Sequence, residues 1–175
     1  MRKSRKWLIV TAALLLVLGV GATIAYLVSS PATVKNTFTV GDVSITLQET
    51  TGTRYILAPG VALPKDPTIT MKAGSEACWL FVKVEKEAGL DDFCTYEIQN
   101  DWIPLPGQAG VYYRQVAKAD ADQAYGILVN NCVTVKDSVT EQQLSAMTAY
   151  PTLKITAYAI QKESFATPED AWLAL

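Results

Sequence analysis

Histidine is absent from all 175 residues. That excludes Ser-His-Asp and Cys-His catalysis, HExxH zinc sites and any histidine-based pH switch. Basic charge is scarce too, once the first residues are set aside. Arg2, Lys3, Arg5 and Lys6 are four of the fifteen basic residues, and the eleven that remain face seventeen acidic ones, a balance of −6. Phosphate binding needs a positive footprint, so a nucleic-acid partner is not expected. Cysteine is limited to three residues, an odd number that cannot all pair within one chain. Linkers, internal repeats and low-complexity tracts are missing, and no strand–helix–strand rhythm appears.

What is present begins with a targeting segment. Arg2–Lys6 is a positive n-region, Trp7–Leu18 an apolar stretch, and Gly19 and Gly21 loosen it. Small residues at Thr23 and Ala25 suit the −3 and −1 positions of a signal peptidase, which predicts cleavage between Ala25 and Tyr26. The alternative is an uncleaved anchor, because the 22 uncharged residues Trp7–Val28 could span a bilayer core of about 30 Å. Both readings carry Val34 onward out of the cytoplasm. The expected partition is therefore a signal peptide at 1–25, a flexible N-terminal segment at 26–36 and one domain at 37–175. A domain of that length buries roughly 70% of its unfolded surface.

Period-two alternation dominates the domain. Cys78, Leu80, Val82 and Val84 form the cleanest stripe, with Lys83 and Glu85 pointing the other way. In Thr37–Leu47 the apolar parity changes across Gly41-Asp42, which suggests a bulge or tight bend. Cys94–Ile98, Val111–Val116, Tyr125–Val129, Cys132–Val135 and Leu153–Ile160 read as further short strands. Turn chemistry separates them at Pro59-Gly60, Pro64–Pro67, Pro104–Gly107 and Asn130-Asn131. Two short helices are predicted, one from the capping-box spacing Thr140–Gln143 and one from Thr167-Pro168 with acid in the first turn. This pattern predicts a mainly β, antiparallel sandwich or barrel with two short helices after the signal helix.

Chemistry-bearing side chains are few. A hairpin of Cys78–Lys86 with Phe93–Gln99 would separate Cys78 from Cys94 by about 23 Å, too far for a disulfide. Cys132 could meet either one, or all three could be reduced core thiols. Asp120 and Asp122 imitate the start of a calcium loop, but Tyr125 stands where that loop needs glycine. Asp91 and Asp92, with Glu87 nearby, could meet an ion at a loop tip, or all these acids could be solvated turns. No catalytic, cofactor-binding or metal-ligating set is singled out. Tyr112-Tyr113 should put one ring on each face of a strand, and Trp79 should face away from the Cys78 stripe. Those rings could fill a core, line an interface or stack on sugars.

The front of the chain resembles a known group. Gly21-Ala22-Thr23-Ile24-Ala25-Tyr26, followed by Asn36–Ile45 (NTFTVGDVSI), is similar to the pattern of the TasA/camelysin proteins. These are Gram-positive secreted proteins with SipW-dependent signals. The resemblance covers roughly residues 1–50. It implies a jelly-roll-like β-sandwich released to the cell surface, where TasA-like members build biofilm-matrix fibres by N-terminal strand donation. Tyr26, Leu27, Phe38 and Val40 are then the candidate self-assembly residues. Camelysin-like members are described as surface metalloproteases, but the lack of histidine and of HExxH gives no grounds to carry that activity over.

The expectation is an exported, non-enzymatic surface or matrix protein that self-associates and needs no cofactor. Its partners would be signal peptidase during export, then itself or matrix proteins. Nucleic acid is not among them, and membrane contact would come only through an uncleaved signal. The alternatives are a camelysin-type surface hydrolase and a small cell-wall glycan-binding module.

Overall fold

Alternation becomes strand almost everywhere it was expected. In this computed structural model, residues 26–28, 37–40, 42–51, 54–148 and 151–175 are described. The chain begins with β1 (Tyr26–Val28), β2 (Thr37–Val40), β3 (Ile45–Gln48) and β4 (Arg54–Ile56). It continues through β5 (Ala62–Pro64), β6 (Thr68–Met71) and the nine-residue β7 (Cys78–Lys86). A one-turn helix α1 (Leu90–Phe93) leads to β8 (Cys94–Thr95), β9 (Ile103–Pro104) and β10 (Val111–Val116). Next come β11 (Gln123–Gly126), β12 (Cys132–Val135) and α2 (Glu141–Ser145). The last elements are β13 (Leu153–Gln161) and α3 (Pro168–Leu173).

A five-stranded sheet in the order β2-β13-β7-β10-β9 forms one layer. Two three-stranded sheets, β11-β6-β3 and β5-β12-β8, form the other. These two are joined through a kinked ribbon. β5 runs into β6 through Lys65–Pro67, and β11 runs into β12 through Ile127–Asn131. Ile127 N–H donates to Pro67 O and Lys65 N–H to Asn131 O, so pairing continues across the kink. Asn130 and Asn131 carry φ of 53° and 50° there, a left-handed conformation that asparagine tolerates better than most residues. The fold is thus the mainly β sandwich the sequence predicts, with one parallel pair, β2 against β13. A third short helix, α1, joins the two expected ones.

The stripe of β7 explains the layering. Cys78, Leu80, Val82 and Val84 pack against Ile45, Leu47, Ile69, Met71, Val133 and Val135 in one core. Removing a leucine such as Leu80 from water in this way stabilises the fold by about 1.5–3 kcal/mol. The opposite face of β7 is also covered, and Trp79 and Phe81 meet Leu105, Ile160 and Ala171 in a second, smaller core. Past Phe81 the outward residues turn charged. Lys83 bridges Glu85 at 2.8 Å, and Glu85 reaches Lys154 at 3.5 Å.

Two expectations are corrected, and the open question of the cysteines is resolved in favour of free thiols. The parity change at Gly41-Asp42 is not a bulge within one strand, because Thr37–Val40 joins the five-stranded sheet while Ile45–Gln48 joins β6. The chain changes layers between them. Residues 78–86 and 93–99 do not form a hairpin. β7 pairs with β10 and β13, and β8 pairs with β12. The cysteines also end apart, and all three are free thiols. Cys94 lies opposite Val135, so Cys132 is three residues along the same strand, about 10 Å away and beyond disulfide reach.

Both sequence-predicted caps form as expected. Thr140 accepts from Gln143 N–H in a reciprocal capping box. Thr167 accepts from Asp170 N–H, with Pro168 opening α3.

Candidate functional site

An open cleft of about 820 Å³ lies where the 94–104 segment crosses the mouth between the layers. The alternation of Cys94–Ile98 persists here although regular strand ends at Thr95. Cys94 is buried, Thr95 and Glu97 are exposed, and Tyr96 and Ile98 are half-buried. The extended chain is held because Gln99 N–H donates to Ile127 O and Val129 N–H to Glu97 O, both at 2.9 Å. Ile98 bridges Leu128 between them.

Gly126 anchors the far wall. Its carbonyl accepts from Trp102 Nε1 at 2.8 Å. A Cβ at this position would stand 2.8 Å from Gln99 Nε2. The missing side chain therefore leaves room for Gln99 to donate to Leu128 O at 3.1 Å. Beside this wall the Arg114 guanidinium lies over the rings of Tyr125 and Trp102, at 4.5 and 5.4 Å from their centroids. One guanidinium nitrogen also reaches Asp101 at 3.8 Å. Its Nε is buried without a hydrogen-bond partner among the described residues, so the stacking and the Asp101 contact hold this cation.

Tyr112 supplies the near wall from β10, where it pairs with Val82 and Pro104. Next to it sit Tyr96, Lys86 and Asp91. Lys86 is ion-paired with Asp91, and Lys136 donates to the Asp91 carbonyl. Burial pushes the Tyr96 phenol up, so it stays a protonated donor at neutral pH. Burial likewise raises the Cys94 thiol in the cleft and pushes Cys78 in the core up to about 12. Neither offers a thiolate nucleophile at neutral pH.

The other sequence candidates are dispersed. Thr23 and Ala25 lie outside the described residues. Tyr26 and Leu27 fall in β1, which pairs antiparallel with β4. Phe38 and Val40 fall in β2 at the edge of the large sheet, opposite Tyr158 and Ile160. The Asp122 carboxylate is taken by Lys72 Nζ and Ala73 N–H, at 2.8 and 2.9 Å, and Asp120 is exposed beside it. Glu87 accepts from both the backbone and the hydroxyl of Thr152, and Asp92 is exposed at α1. Among the described residues, no three His, Cys, Asp or Glu side chains converge as a metal site.

The aromatic pair divides as expected, with Tyr112 in the cleft and Tyr113 on the opposite face. Tyr113 and Trp79 meet edge to face at 5.9 Å in the second core. Tyr96, Glu97, Asn100 and Trp102 were not singled out from sequence. The run Glu97–Trp102, which mixes a carboxylate and amides with an aromatic beside a turn, is the signal that could have found them.

Fold and cleft together define a mainly β sandwich protein with an open aromatic and polar groove. Comparison with protein-family models, with curated proteins and with solved structures finds no match. Among the described residues, no helix is long and apolar enough to cross a membrane.

Proposed function

We propose that this is an exported, non-enzymatic protein of the cell surface or matrix that self-associates by exchanging its N-terminal strand. The observation that carries the reading is the isolation of the β1–β4 ribbon. Among the described residues β1 pairs with β4 alone, in a two-stranded sheet separate from the other three. A lone two-stranded ribbon is marginal in water, so its opening costs little. Exchange between identical subunits restores every backbone bond that opening breaks. The sequence supplies the trigger, since cleavage after Ala25 would make Tyr26, the first residue of β1, the new N-terminus. β2 adds a second route, because its outer edge carries no partner strand among the described residues, and such an edge accepts strand addition.

The test compares secreted protein starting at Tyr26 with a version starting at Lys35, at equal concentration, by electron microscopy and sedimentation. Fibres or ladders from the first and none from the second support exchange of β1. Equal assembly by both rules it out. N-terminal sequencing of the secreted protein tests the export step, and a start other than Tyr26 removes the trigger.

A further inference from the structure

We infer that the cleft between the 94–104 segment and β10 binds a neutral oligosaccharide. The inference is independent of strand exchange, since neither β1 nor β4 contributes to the cleft. Its first support is volume. About 820 Å³ falls within the roughly 300–1,000 Å³ typical of small-ligand sites, and the cleft is open to solvent.

The second support is the kind of wall. Tyr96 and Tyr112 are half-buried, and Trp102, itself buried, also lines the cleft. Apolar ring faces flanked by polar groups suit the C–H faces of pyranose rings, whose hydroxyls lie around the rim. Polar side chains stand at matching positions. The carboxylate of Glu97, the amide of Asn100 and the hydroxyl of Thr95 are exposed at the rim, and none makes a side-chain hydrogen bond among the described residues. They offer acceptors and donors together, as sugar hydroxyls demand.

Charge decides against other ligands. The two lysines in the cleft are already engaged, Lys86 by the Asp91 carboxylate and Lys136 by the Asp91 carbonyl. The remaining charges, the Lys136 ammonium and the Glu97 carboxylate, offset each other, so the lining carries no net charge. A phosphate, an acidic polysaccharide or a phosphopeptide would therefore find no net positive charge to offset its own. An extended peptide would need a free row of backbone donors and acceptors. Along 97–99 the edge that faces Ile127 and Val129 is already paired.

Intrinsic tryptophan fluorescence and isothermal titration provide the readouts, using the full chain with cellotetraose and N-acetylglucosamine tetramer as probes. Saturable binding of at least one probe is expected. Glu97→Gln and Asn100→Ala alter exposed side chains and should leave the thermal melt unchanged while weakening binding, the double variant by about tenfold or more. Tyr112→Ala should abolish binding. Because that change also removes packing, Tyr113→Ala on the opposite face serves as its partner and should retain binding if it folds. Failure of both neutral probes to bind would overturn the inference. So would undiminished binding by the Glu97→Gln/Asn100→Ala double variant, or preference for a sulfated or phosphate-bearing polymer over the neutral tetramers.

Discussion

The two faces of β7 are built from different materials. The inner face is aliphatic, with Cys78, Leu80, Val82 and Val84 against the second sheet layer. The outer face is aromatic. Trp79 meets Tyr113 edge to face, Phe81 lies 5.4 Å from Trp172, and Trp172 lies 5.2 Å from Tyr158. The inner face meets a whole sheet layer, where close-packed branched chains fill the space efficiently. Among the described residues, the outer face is covered by the six-residue α3, the segment before it and Leu105. A cover that small needs large side chains and specific contacts. Trp79 Nε1 donates to Phe165 O at 3.2 Å, and Lys162 Nζ sits 5.5 Å from the Trp79 ring centroid. The inner core thus holds by area, and the outer one by a few anchors.

That contrast can be broken from either side. The largest effect is expected at Val82, fully buried on the inner face. Val82→Asp places an unpaired charge there and should abolish the cooperative thermal transition. Leu80→Ala is the milder probe, expected to cost about 2–5 kcal/mol by denaturant titration. Trp172→Ala removes the main anchor of the outer face. Because Trp172 is only partly buried, a loss of about 2 kcal/mol is expected. Hydrogen exchange should quicken at 165–175 while β7 amides stay protected. If β7 exchanges as fast as the C-terminal segment, the two faces form one cooperative unit.

A smaller effect should come from a staple in the layer opposite the inner face. Asp66 accepts from the Thr50 backbone and hydroxyl and from Thr51 N–H, tying the end of β3 to the kinked ribbon. Burial acts to raise its carboxyl, but these hydrogen bonds outweigh it and hold the group at about 2. A carboxylate held below its unfolded value contributes stability above the usual carboxylate range, and that contribution is lost as pH falls toward about 2. Asp66→Asn should therefore lower the melting temperature at neutral pH, with the difference from wild type vanishing near pH 2. A constant difference across that window would mean the charge is not what matters. The smallest effect is expected at Lys83, half-exposed beside Glu85, where Lys83→Ala should leave the melting temperature unchanged. A loss larger than that of Leu80→Ala would reverse the assignment of the two faces.

The cleft was less legible than the core, for a physical reason. The alternation of 94–98 could be read directly, but its partner could not. Sequence proximity favoured pairing with β7, whereas Cys94 and Thr95 pair with β12, about forty residues on. The turn after Lys86 is occupied by α1, opened by Gly89 at φ 91°, and it turns the chain toward the other layer. Tyr112 was placed on the correct face by alternation alone. That its ring would stand beside Tyr96 depended on that long-range pairing.

By itself the sequence determined the features that periodicity and local chemistry control. The inward stripe of β7, the opposite facing of Tyr112 and Tyr113, the limits of β10 and β12, and the capped starts of α2 and α3 are all set by contacts within a few residues. Tertiary structure alone decided which strands became neighbours. It sent residues 37–40 and 45–48 to different layers, kept the three thiols apart, and brought Trp172 over Phe81 and Tyr96 beside Tyr112. Side-chain alternation is a property of the extended backbone itself. Strand partnership is a choice among many possible edges, made by which arrangement buries both faces of β7 at once.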